Sequence, residues 1–482
     1  MVSASAGPMA PRSSAASDDS RITTRMAAVG CLRRVLAGSH DLLALARAWP
    51  TRYPGLLQSV AHGTAHARHD LLLGFPQNCI RLDADGQVRG GEGVVLGTDF
   101  LEVLDRAHAG VRTAEAVSDA SADLLFNGGW LLYLGYELVG QIEPRLRLPL
   151  AHSHMPVAMA LRCPLAFIVD HEADTTTLVA EPGFEQLIDQ ALLDLHQAPA
   201  PTNADVQPLG IVEDEPVRFL DALGKIKDYL RAGDVFQVNL SRGWEINLPE
   251  ATDAATIYQA LRRSNPSPFA ALLQGDGWAI ASSSPERLVK VRGEHVETRP
   301  IAGTRARLAE DDAGLRIREL IGHPKERAEH VMLIDLERND LGRICKPGSV
   351  RVDELMAVES FAHVHHIVSN VSGQIRRGTT PGQVIRAVFP GGTITGCPKV
   401  RCMEIIAELE GCARGPYTGA LGYLDRNGKL DLNILIRTLL MDGQRVCLRA
   451  GAGIVADSDA EAELAETRAK ARGLLRAFGL PG

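Results

Sequence analysis

HPKERAEHVMLIDLERNDLGR, residues 323–343, opens with a charged turn and then runs into Val331, Met332, Leu333, Ile334 and Leu336. That pattern reads as a helix whose polar first turn sits at the rim of a core. Glu326 and Glu329 are three apart, so both carboxylates point the same way. Alone, such acids do no more than complement the helix dipole. A second cluster near the C-terminus, DSDAEAELAETRAK, repeats the spacing with Glu463 and Glu466 and places Lys470 one turn further on. Two carboxylate pairs on separate helices suit a hard divalent cation, and magnesium keeps part of its coordination sphere for substrate. The sequence therefore predicts a Mg2+ site that receives an anionic substrate.

Outward from this stretch, helical periodicity marks 312–320, 325–340, 381–388, 399–410 and 461–477, with strands near 364–371, 419–423, 434–440 and 446–450. Upstream, FLDALGKIKDYLRAG is a helix ended by Gly233, followed by the strand-like FQVNLSRGWEINL, a helix at 254–264 and a run of strands. Before that, helices are expected at 42–49 and 100–107, and LAFIVD with TTTLVAE forms a hairpin. The glycines of GGWLLYLGYELVG mark close backbone approach. Helices and strands come in runs without regular alternation, which predicts an α+β fold with antiparallel sheets. The Pro-rich segment 197–214 reads as a linker between an N-terminal region, 26–196, and a catalytic domain, 215–482. Residues 1–25, rich in Ser and Ala, read as a disordered tail, and Met26 is an alternative start.

The chain has 482 residues, 45% hydrophobic and 23% charged, which excludes wholesale disorder. Its net charge of -8 gives no footprint for nucleic acid, and no run of 18 apolar residues spans a membrane. Small molecules or proteins are the expected partners. Eight cysteines lack metal-binding spacing and read as reduced thiols of a cytoplasmic protein.

Several residues carry candidate chemistry. Glu286 follows a strand and a Pro turn in SSSPERLV, where a carboxyl facing an apolar pocket would act as a general acid; a surface pair with Arg287 is the alternative. FPGGTITGCPKVR puts Gly391, Gly392 and Gly396 before a helix start, and its amides together with Lys399 suit an anion. Arg437 is an isolated cation in the strand-like ILIRTLL, suited to a bidentate carboxylate or else to the wet face of the strand. Tyr417, Gly451 and Gly453 add a phenol and main-chain amides. No nucleophile elbow, Walker loop or dinucleotide motif is present.

Together these stretches resemble the chorismate-utilising enzymes, and within them the synthase subunits that use ammonia. The carriers are GDVFQVNLS at 233–241, NPSPF at 265–269, SSPER at 283–287, TRPIAGT at 298–304, KERAEHVMLIDLERNDLGR, VHHIVSNVSG at 364–373, FPGGTITGCPKVR, GALGYL and AGAGIVADSDAEAELAET at 450–467. The resemblance implies two face-to-face antiparallel sheets with helices outside, the N-terminal region interleaved with the catalytic part. It implies Glu329 and Glu466 as magnesium carboxylates, with Glu326 and Glu463 close by. Lys470 and the amides at Gly451 and Gly453 would then assist the ring carboxylate of chorismate. Arg437 and Tyr417 match positions that hold the pyruvyl carboxylate, His366 and Thr393 face the ring, and Glu286 protonates the departing C4 hydroxyl. Gln237 stands where water-adding relatives carry a lysine base, which leaves ammonia as nucleophile.

The product is less simply read. Aminodeoxychorismate synthases usually have P-I-K-G-T, whose lysine is thought to attack the ring, whereas this chain has Ala302, Gly303 and Thr304 after Pro300-Ile301. Alanine there is similar to anthranilate synthases, and another nucleophile, water or a nearby side chain, would have to replace the lysine. Gly392 in GGTITG, the GYE around Tyr136, and the sequence Arg68-His69-Asp70-Leu71-Leu72 in place of an L-L-E-S inhibition motif point to the aminodeoxychorismate branch. The resemblance thus implies conversion of chorismate to 4-amino-4-deoxychorismate on the 4-aminobenzoate and folate route, with anthranilate synthesis as the alternative. Ammonia would come from a separate glutamine amidotransferase. A non-catalytic chorismate-binding regulator is a third reading, against which the retained proton donor Glu286 argues.

Overall fold

The computed structural model describes residues 23–25, 31–61, 68–111, 124–150, 154–199, 205–250, 252–306, 314, 318, 322, 324–360 and 364–480. Their strands form one 13-stranded and one 12-stranded sheet, and the predicted α+β class with two packed antiparallel sheets is what the chain adopts. The alternation of side chains along each strand explains the layering. Leu71 and Leu73 face the partner sheet while Leu72 between them packs against outer helices; Leu131 and Tyr133 face inward while Leu132 and Leu134 face outward. Four apolar clusters result, one of them between the sheets, the others between sheet and helix.

Nine strands and four helices carry the candidate site. The strands are β1 (Gln237–Asn247), β2 (Trp278–Ser284), β3 (Arg287–Arg292), β4 (Ile301–Ala306), β5 (Val364–Gln374), β6 (Ala420–Asp425), β7 (Leu430–Ile434), β8 (Thr438–Asp442) and β9 (Arg445–Ile454). The helices are α1 (Pro324–Gly342), α2 (Pro381–Val388), α3 (Lys399–Glu410) and α4 (Ala460–Leu475). β1, β2, β8 and β9 lie in the first sheet, and β3 to β7 lie in the second. Local chemistry sets the helix ends. Thr380 and Gln383 form a capping box on α2, Asp459 accepts from the Ala462 amide at the start of α4, and Gly411, at φ 62°, closes α3.

Three expectations need correction. Residues 434–440 are not one strand: β7 ends at Ile434, β8 begins at Thr438, and Arg437 takes a left-handed φ of 54° between them. The reason is tertiary, because the two strands belong to different sheets and the chain must step across. The end of the proposed linker is also ordered, since Gly210–Glu213 pairs with β1 as an edge strand. Within the expected tail, Thr23–Arg25 pairs with Leu32–Ala37, while the rest of it lies outside the described residues. So does the helix expected at 312–320, apart from 314 and 318. The region 26–196 supplies strands to both sheets: Gly55–Gln58 pairs with Phe269–Gln274, and Gly129–Leu134 pairs with β6. No helix among the described residues is long and apolar enough to cross a membrane, and all eight cysteines are free.

Candidate active site

The chain crosses between the sheets twice at one place. Pro285 and Glu286 link β2 to β3, and Leu435, Ile436 and Arg437 link β7 to β8. The crossings are stitched together: the Ile434 amide donates to the Glu286 carbonyl at 3.0 Å, and the Ser283 amide donates to the Arg437 carbonyl at 3.0 Å. A predicted acid and a predicted carboxylate-binding cation, 151 positions apart by their numbers, therefore share one edge of the sandwich.

Glu286 is 5% exposed, and its Oε1 makes no hydrogen bond. Burial pushes its pKa to about 8; the Thr393 hydroxyl works against that rise, Glu337 adds to it, and the Ile301 amide and Lys470 lower it. At neutral pH the group is a protonated carboxyl, as a general acid must be. The plain alternative, a surface pair with Arg287, is excluded because Arg287 bonds Asp431 at 2.9 Å. Arg437 is not on a wet strand face. Desolvation lowers its pKa, with Tyr417 and Glu466 offsetting the effect, and its Nη1 donates to the Lys470 carbonyl at 3.2 Å.

β9 forms the floor. A Cβ at Gly451 would fall 2.8 Å from the Tyr417 hydroxyl, the Leu240 carbonyl and Asn239 Oδ1, and a Cβ at Gly453 would fall 2.1 Å from Gln237 Nε2. Gly451 is closed to a side chain by the Leu240 backbone, whereas a side chain at Gly453 would have to displace the Gln237 amide. Lys470 donates to the Gly451 carbonyl at 2.9 Å and pairs with Glu466 at 2.7 Å. Tyr417 is held from behind by Arg414, whose guanidinium lies 5.5 Å from its ring and pairs with the buried Glu410 at 2.6 Å.

The acidic residues separate into distinct roles. Glu329 accepts from Gln237 Nε2 at 2.9 Å, which ties it to the Gly453 end of the floor. Glu463 accepts from the Ser458 hydroxyl at 2.6 Å, at the start of α4. The Glu326 side chain lies outside the described residues, and among those that are described no three His, Cys, Asp or Glu side chains converge as a metal cage. Glu329 and Glu466 offer the hard oxygens that a magnesium ion would take, and the Oε1 of Gln237, the residue that bonds Glu329, is buried and unpaired.

β4 and β5 supply another wall. Ala302 pairs with Ile367 and Thr304 with buried His366, and Gly303, at φ 65°, sits in the bulge between them. The side chains of Ala302 and Thr304 lie outside the described residues. Thr393 reaches the site from the short 3-10 turn Gly392–Ile394. Lys399 does not serve as an anion receptor, because its ammonium pairs with Asp340 and donates to the Pro390 carbonyl at 2.9 Å.

Sequence reasoning missed Glu337, a carboxyl only 5% exposed on α1, because charged Asp335 and Arg338 flank it and nothing local distinguishes a buried acid in such a run. It also misplaced one motif. Residues 56–59 read Leu-Leu-Gln-Ser, one residue from L-L-E-S, and Gln58 donates to Asp70 at 2.8 Å, so Arg68 to Leu72 pairs with that motif and does not replace it. A cavity of about 1110 Å3 touches Tyr417 but none of the other predicted residues.

A family model described as chorismate binding enzyme matches residues 73–476. The chain is 44% identical over 362 residues to an anthranilate synthase component I-like protein of Synechocystis, covering 74% of this chain and 73% of that one. It is 39% identical over 458 residues to aminodeoxychorismate synthase component 1 of Bacillus subtilis, covering 89% and 96%. Anthranilate synthase component I from Streptococcus pneumoniae superposes with a TM-score of 0.76 at 32% identity, covering 85% and 93%.

Proposed function

The chain belongs to the chorismate-binding enzymes, and from that premise we propose that it is the synthase component of a magnesium-dependent aminodeoxychorismate synthase, adding ammonia to chorismate. Glu286 holds a proton at neutral pH for the departing C4 hydroxyl. Arg437 and the Tyr417 hydroxyl receive the pyruvyl carboxylate, while Lys470 and the amides of Gly451 and Gly453 face the ring carboxylate. Glu329 and Glu466 would hold the magnesium, which when bound neutralises charge on that ring carboxylate. Gln237 anchors Glu329 and, as a neutral amide, removes no proton from water, which favours ammonia as nucleophile. A glutamine amidotransferase subunit would deliver the ammonia.

The observation that carries the choice of product is Gly392. A Cβ there would fall 2.2 Å from Leu336 Cδ2, so the alanine typical of anthranilate synthases would require the Leu336 side chain of α1 to turn aside next to the turn that bears Thr393. Ala302 favours the second reading, direct amination with pyruvate loss to give anthranilate, and Leu-Leu-Gln-Ser at 56–59 leaves the first with one distinguishing feature fewer. Incubation with chorismate, magnesium and ammonium salts decides between them. A non-fluorescent product that a separate lyase converts to 4-aminobenzoate supports this proposal, and direct release of fluorescent anthranilate overturns it.

A further inference from the structure

One turn links two buried carboxyls. Glu286 lies beside Thr393, and Glu337 Oε1 lies 3.4 Å from the position a Cβ would take on the preceding residue, Gly392. Behind Glu337, one turn along α1, Asp340 is 6% exposed and pairs with Lys399 of α3. Asp340 and Lys399 line a cleft of about 390 Å3 together with Asn339, Arg343, Arg386 and Cys397. None of the proposed substrate-binding residues borders that cleft. Asp340 and Lys399 at the cleft, and then Glu337, thus stand between solvent and the turn beside the general acid.

We propose that Glu337 is a positioning residue that returns a proton to Glu286 after each turnover, fed through the cleft at Asp340 and Lys399. This rests on the functional reading above, since it requires Glu286 to give up a proton. In the cycle, the Glu286 carboxyl protonates the leaving hydroxyl, which departs as water. The Glu286 carboxylate takes the proton of Glu337, and the Glu337 carboxylate takes one from a solvent or buffer acid in the cleft. The net transfer is one proton from solvent to the leaving group, and no redox partner is needed.

The surroundings suit a shared proton. Burial raises the pKa of Glu337, and Asp340 adds to the rise, whereas Lys399, the Thr298 hydroxyl and the Gly392 amide lower it. Asp340 is raised by burial and lowered by Lys399 and Arg343. Glu286 faces Glu337 and Lys470. Two like charges flanking one turn in a buried setting cannot both persist, so the pair retains a proton into the neutral range.

The test compares wild type, Glu337→Gln and Asp340→Asn for kcat and KM against pH, with chorismate, magnesium and ammonium. Glu337→Gln removes a like charge beside Glu286, so the alkaline limb should move down by about one pH unit. Its kcat should fall about ten-fold at pH 8 with KM for chorismate unchanged, and imidazole should restore part of the loss as an external proton donor. Asp340→Asn leaves the buried pair intact and should show the same imidazole-responsive loss, so it decides the matter should Glu337→Gln fail to fold. Profiles that overlay wild type, or losses that imidazole does not touch, overturn the proposal. A wild-type chain without chorismate turnover overturns the functional reading itself, and this inference with it.

Discussion

Glu286 shows how a single side chain is set by its surroundings. Its folded pKa of about 8 lies above the ordinary 4.5, so the folded state keeps a proton that the unfolded chain releases. Between those two values stability falls as pH rises, because folding must retain that proton. Glu286→Gln should therefore abolish turnover while leaving chorismate binding largely intact, and it should raise the melting temperature relative to wild type more at pH 8 than at pH 5. Calorimetry at the two pH values reads the second effect, and an equal shift at both would remove the assignment of a buried protonated acid. Gly453→Ala tests the floor of the site. Its Cβ would displace the Gln237 amide and with it the hold on Glu329, so the magnesium concentration for half-maximal activity should rise about ten-fold. Glu286 was legible at this scale because a Pro turn after a strand exposes the next side chain at a strand end. Glu337 was not, because burial of one acid in a charged run depends on the helix it meets.

At the scale of elements, helices were read well and strand ends less well. The helices at 381–388 and 399–410 coincide with α2 and α3, whose caps are written in Thr380, Gln383 and Gly411. Thr380 also donates to Asp105 of the helix Phe100–Val111, so its hydroxyl joins two elements. Thr380→Ala should cost about 1–2 kcal/mol, measured by denaturant unfolding, because a cap and a tertiary bond are lost together. The uninterrupted apolar run around Arg437 looked like one strand, since alternation alone does not reveal a change of sheet. What breaks it is hydrogen bonding across the crossing, from Ser283 to Arg437 and from Ile434 to Glu286.

For the whole molecule, the two sheets are joined through both halves of the chain, and the wall behind Tyr417 depends on a buried ion pair. Arg414 and Glu410 each have about 1% of their side chain exposed, and Glu410 also bonds Arg449 and the Ser241 amide. Glu410→Gln would leave Arg414 with its charge poorly matched in a dry interior, so unfolding free energy should drop by about 3–5 kcal/mol, with Tyr417 released from its stacking partner. Stability unchanged in that variant would show that solvent reaches the pair. By itself the sequence determined the antiparallel α+β class and the family, because periodicity, caps and short motifs are local properties that survive without a partner strand. Tertiary structure alone decided that Glu286 and Arg437 sit on two chain crossings stitched together at one edge, that Lys399 is occupied by Asp340, and that Glu337 is buried. Those facts arise where distant segments meet, and the free energy of a charge depends on what surrounds it rather than on its neighbours in the chain.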